Sequence, residues 1–96
     1  MIKEIASIRV KAGQEAAFEA GVKAAVPLFL RAKGCHGVEL HRWEESAQDY
    51  TLVVQWETVD HHMVDFRNSA DFQEWRRLVG EYFAAPPQVH HEAQII

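Results

Sequence analysis

"YTLVVQWETVDHH", residues 50–62, decides the fold because its apolar period changes partway along. Tyr50, Leu52, Val54 and Trp56 recur every second residue, the spacing that projects side chains from one face of a strand. Past Trp56 the alternation stops. Thr58 is a good N-cap and Asp60 sits in the first turn, where the helix macrodipole favours an anion, so a short helix follows. Just upstream, "GVELHRWEE" (37–45) sets Val38, Leu40 and Arg42 against Glu39, His41 and Trp43. Ser46, Gln48 and Asp49 supply a turn, which makes the two runs an antiparallel hairpin.

Working outward, "IKEIASIRV" (2–10) reads as a strand. One parity carries Ile2, Glu4, Ala6, Ile8 and Val10, and the other carries Lys3, Ile5, Ser7 and Arg9. After Gly13, Phe18, Val22, Ala25, Val26 and Phe29 form a helical stripe. Pro27 removes the amide that would bond the Lys23 carbonyl, which predicts a kink or an early end, with Gly34 closing the segment. Ser69 caps a further helix, with Asp71 and Glu74 near its start. That helix carries the stripe Phe72, Trp75, Leu78, Val79, Tyr82 and Phe83 until Pro86-Pro87 stops it. "QVHHEAQII" (88–96) is the last strand.

The order β-α-β-β-α-β makes this one α+β domain over residues 1–96, ferredoxin-like, with a four-stranded antiparallel sheet and helices on one face. Val53 and Ile5 lie on the parity opposite the main rows, so the second sheet face also needs a cover. The simplest cover is a second copy of the same sheet, which predicts a homodimer.

Composition narrows the partners. The chain of 96 residues is 48% hydrophobic and 25% charged, with a formal net charge of −4. Arg76-Arg77 is its only adjacent basic pair, so a nucleic-acid surface is not expected. No run reaches the length of a membrane span, and nothing at the N-terminus reads as an export signal. A lone cysteine, Cys35, fits a reducing compartment, so the expectation is a cytoplasmic protein without a membrane partner. Cys35-His36 is expected in a loop after a helix C-terminus, where the dipole disfavours a thiolate. Six histidines invite a metal hypothesis. No His-x-His, His-x3-His or Cys-x2-Cys spacing supports one, so no metal site is expected.

Four pieces together carry a family resemblance: Gly-Cys before the second strand, Trp-Glu closing the third, His62 six residues after Trp56, and "FRNSADFQEW" (66–75) leading into the last helix. In that order and spacing the chain resembles the antibiotic biosynthesis monooxygenase family of dimeric α/β-barrel proteins. The resemblance implies a subunit whose sheet packs against its twin to close a barrel, with a pocket between sheet and helices. Members include cofactor-independent monooxygenases acting on polycyclic aromatic or quinol substrates, and haem-degrading enzymes. The haem-degrading branch pairs a first-strand asparagine with a histidine one helix turn further on. Here Ala6 and Ser7, and Asp65 and Phe66, stand at those places, which argues against haem.

The resemblance puts the row Tyr50, Leu52, Val54 and Trp56 on the pocket side, although core packing explains the same row. Trp56 then gains a role, because its indole N–H can reach a substrate oxygen while the ring stacks on an aromatic. His62, on the same helix side as Phe66, is the candidate base for a phenolic proton. Its alternative is a half-buried residue bonded to a carbonyl. Phe66, with Phe72 and Trp75 from the last helix, is a candidate binding residue, and Arg76 is the candidate partner of an oxyanion, with an exposed salt bridge as the alternative. The expected chemistry is oxidation of an electron-rich aromatic (phenol, quinol or polycyclic) without flavin or metal. A ligand-binding dimer without turnover, or a cofactor-free isomerase or decarboxylase, would use the same pocket.

Overall fold

The structure is a computed structural model that describes residues Met1–Ile96. Strands β1 (Ile2–Arg9), β2 (Cys35–Arg42), β3 (Asp49–Trp56) and β4 (Gln88–Ala93) form one sheet in the order β2-β3-β1-β4. Every neighbouring pair is antiparallel. Helix α1 (Glu15–Leu30), a short π-helix (His61–Phe66) and α2 (Ala70–Val79) pack on one face, so the second helical region is divided as its two caps predict.

The row on β3 faces these helices. Tyr50, Leu52, Val54 and Trp56 are all fully buried, and β1 places Glu4, Ala6 and Ile8 beside them in register. Phe18, Val22, Ala25 and Phe29 of α1 meet that row, as the helical stripe requires. Burying each of the Val, Leu, Ile and Phe side chains among these stabilises the fold by roughly 1.5–3 kcal/mol. The opposite sheet face is thinly apolar. Ile5 and Val53 pair across β1 and β3 there and remain half-buried.

Local chemistry sets the boundaries. Ser69 Oγ accepts the Phe72 amide, fixing the start of α2, and the Thr58 hydroxyl accepts the His61 amide at 3.3 Å. Gly34 takes φ +80° and closes the turn into β2. A Cβ there would lie 2.5 Å from the His61 ring, so glycine is required twice over.

Three sequence expectations need correction. The last helix ends at Val79 and does not run to Pro86-Pro87; Gly80–Tyr82 is a 3-10 turn, and Phe83 leaves the helix to bridge Val10 beside the end of β1. Of the two outcomes expected at Pro27, the early end does not occur, because α1 runs on to Leu30. Only one amide is lost, Arg31 N–H still bonds the Pro27 carbonyl at 3.1 Å, and buried Leu28 and Phe29 anchor the turn. Cys35 and His36 are not in a loop but begin β2, with Cys35 opposite Trp56. The positive φ of Gly34 turns the chain early enough for pairing to start there.

Candidate functional site

A cavity of about 600 Å³ lies between the inner sheet face and α2. Glu4, Ala6 and Ile8 of β1 and Leu52 of β3 make its floor. Phe72, Trp75 and Arg76 come from α2, His62 from the π-helix, and Arg67 from the turn that follows. The segment Phe83 to Pro87, with Val89 of β4, completes the rim.

The cavity thus gathers His62, Leu52, Phe72, Trp75 and Arg76 from the expected set. Tyr50, Val54, Trp56 and Phe66 are not among its lining residues and form the core layer behind it. Phe66 packs against Phe29, Trp56 and Phe72. Tyr50 lies toward the other end of the sheet, where its hydroxyl donates to Glu19 at 2.6 Å. The Trp56 indole N–H is already given, donating to Glu4 Oε1 at 3.0 Å. Its ring stacks on His62 with centroids 5.5 Å apart and planes 16° from parallel.

Glu4 is the residue that motif reading passes over. It shares the parity of Ala6, Ile8 and Val10, so a charged group on the core-facing row was the available signal. Its side chain is 7% exposed, and His62 Nε2 stands 3.3 Å from its Oε1. On the other side of the ring, His62 Nδ1 lies 2.9 Å from Nε2 of His91 on β4. That contact follows from register, because β4 sets His91 directly opposite Glu4. His90 faces the other way and pairs with Glu92, so the two adjacent histidines serve different sheet faces. His61 is likewise turned from its neighbour, bonding Thr58.

Burial governs the protonation of this cluster. It raises the Glu4 pKa from 4.5 to about 7, against the opposing pull of the Trp56 hydrogen bond and the Arg67 charge. It also drives the His62 pKa down from 6.5 to about 4, assisted by His91 and Arg67. His91 is held below its ordinary value by burial and by His90. At neutral pH His62 is therefore a neutral imidazole beside a carboxyl group poised between its two forms. Their contact is not an ion pair. No group of three or more His, Cys, Asp or Glu side chains is placed to hold a metal ion.

Comparison with known proteins supplies the context. The model of the antibiotic biosynthesis monooxygenase family matches residues 1–78. The chain is 34% identical over 91 residues to YczJ of Bacillus subtilis (strain 168), covering 95% of this chain and 96% of that one. A crystal structure of a Bordetella bronchiseptica protein named for the same family is 72% identical, with a TM-score of 0.98 and coverage of 99% and 97%. SnoaB of Streptomyces nogalater, described as a cofactor-independent oxygenase, was solved as a point mutant. It shares 15% identity at a TM-score of 0.84, covering 99% of this chain and 93% of SnoaB, a likeness of fold alone.

Proposed function

The chain belongs to the antibiotic biosynthesis monooxygenase family, and from that premise we propose that it is a cofactor-independent monooxygenase of an electron-rich aromatic substrate. The observation that carries this reading is the polarity of the cavity. Phe72 and Trp75 offer aromatic walls for a flat ring, and buried Glu4 and His62 occupy its polar end.

In such chemistry the substrate itself supplies the electrons that dioxygen takes. The protein's work is to remove a phenolic proton, stabilise the resulting anion and keep water away. His62 and Glu4 are the proton-accepting groups of this reading. Arg67 and Arg76 at the cavity wall supply positive charge to an oxyanion. Trp56 holds Glu4 through its N–H and stacks on His62, so it acts on the substrate through them. A His62 turned to solvent would favour ligand binding without turnover, whereas its side chain is 5% exposed and faces Glu4.

The same reading makes the Ile5–Val53 face the contact with a second copy, giving a homodimer that closes a barrel. Its place is the cytoplasm, in keeping with the free thiol of Cys35. No helix is long and apolar enough to cross a membrane.

The test is oxygen uptake over a panel of hydroquinones and polycyclic phenols, comparing wild type with His62→Ala and Trp56→Phe. The expected result is uptake that needs the protein and falls on the order of 100-fold in His62→Ala, the usual scale of general acid–base catalysis. Saturable quenching of tryptophan fluorescence without uptake would instead make this a binding module. Substrate loss without oxygen consumption would indicate an isomerase or decarboxylase.

A further inference from the structure

We infer that Glu4, His62 and His91 form a proton wire that joins the polar end of the cavity to the protein surface. The wire serves the oxygenase reading as the route for the substrate proton, and rests on that reading only for its use.

Each residue brings one atom close to each of its neighbours. Glu4 Oε1 stands 3.3 Å from His62 Nε2, and His62 Nδ1 stands 2.9 Å from His91 Nε2. The 3.3 Å pair is a contact without hydrogen-bond geometry in this structure, so the wire needs the imidazole to turn toward Glu4 before a proton passes. His91 is half-buried on β4, an edge strand, so its far nitrogen is the exit. Trp56 N–H donates to Glu4 but cannot accept a proton, so it anchors the chain without being a link. Glu4 Oε2 takes no hydrogen bond from the chain, which leaves it for a ligand in the cavity that Glu4 lines.

The proton count balances without any charged imidazole. With Glu4 ionised, His62 Nε2–H points to Glu4 and His91 Nε2–H points to His62. A proton taken from water by His91 Nδ1 sends the His91 Nε2 proton to His62 Nδ1. The His62 Nε2 proton then goes to Glu4. Glu4 is now the acid, and both rings have exchanged Nε2–H for Nδ1–H. From this state, a substrate hydroxyl gives its proton to Oε2 as the Oε1 proton leaves along the wire, and His91 releases one proton to water. The charged and titratable groups around the path are Arg67 after the π-helix, Arg76 on α2, Cys35 on β2 and His90 beside His91.

The experiment is a pH titration of the full chain labelled with ¹⁵N-histidine, reading the tautomer of each ring from long-range ¹H–¹⁵N correlations. It needs no substrate. Between about pH 6 and 8.5, a range that spans histidine's ordinary titration, His62 and His91 are expected to exchange tautomers together. Their common midpoint should be that of Glu4, about 7. Glu4→Gln keeps an acceptor for Trp56 and should abolish the exchange. Fixed tautomers in wild type, imidazolium at His62 in this range, or an unchanged midpoint in Glu4→Gln would each overturn the wire. Fixed tautomers with oxygen uptake intact would remove the wire and leave the oxygenase. Coupled tautomers without uptake on any substrate would do the reverse.

Discussion

Trp56 and Tyr50 stand at opposite ends of one row on β3, and each gives its polar hydrogen to a glutamate. Trp56 donates to Glu4 at 3.0 Å and Tyr50 to Glu19 at 2.6 Å. The acids live differently. Glu4 is 7% exposed and has a neutral imidazole beside it, whereas Glu19 on α1 is 44% exposed and has Arg42 at 3.5 Å. Burial lifts Glu4 to about 7, into the range where it exchanges protons in a cell. At the other end it is the phenol that moves, to about 12, through burial and then through Glu19. One kind of hydrogen bond therefore holds a carboxyl that titrates near neutrality at one end and a structural clamp at the other. Access to water separates the two, since Glu4 is shielded from it and Glu19 is not.

The bluntest way to break the comparison is Trp56→Ala. It opens a cavity in a fully buried site and strips Glu4 of its donor, so urea unfolding should show a loss of ~3–5 kcal/mol. A loss under ~1 kcal/mol would mean that the site collapses without the indole and that Glu4 does not need it.

A sharper test uses the pH dependence of stability. Glu4 is raised from 4.5 to about 7, so the native state holds a proton that the unfolded chain has released. Its contribution is present below 4.5 and is lost as pH rises through about 7. His62, lowered from 6.5 to about 4, runs the other way, contributing above 6.5 and failing as pH falls through about 4. Each contribution is on the order of 3 kcal/mol, and in wild type the two slopes oppose each other. Glu4→Gln should expose a stability that rises with pH over the His62 window, and His62→Gln one that falls over the Glu4 window. Slopes of the same sign in both variants would dissolve the pairing.

The smallest effect belongs to the clamp. Tyr50→Phe should cost about 1 kcal/mol, the usual worth of one hydrogen bond. It should leave the pH profile of stability as in wild type across the Glu4 and His62 windows, below the alkaline range where Tyr50 itself titrates. A changed profile would mean that the two ends of the row are coupled.

The architecture was legible because it rests on local periodicity. The row on β3, the stripe on α1 and the Ser69 cap each carry their signal within a few residues. His62 was legible as a candidate from its spacing to Trp56. Glu4 was visible only as an odd charge on an apolar parity, and nothing nearby in sequence announces its partners. His91 was legible as pointing away from His90, but not as reaching His62, 29 residues earlier. Pro27 does not end its helix because one lost amide weighs less than the packing of Leu28 and Phe29, which only the folded helix reveals.

By itself, then, the sequence determined the order of strands and helices, which residues face the core, and the net acidic charge of the chain. Those follow from period, capping and charge, all short-range properties of the chain. The tertiary structure decided that Trp56 spends its N–H on Glu4 and that β4 delivers His91 to His62. It also decided that burial moves an acid and an imidazole past each other in proton affinity. Register between β1 and β4 and the loss of water around Glu4 are long-range outcomes, and they exist only once the sheet has closed under its helices.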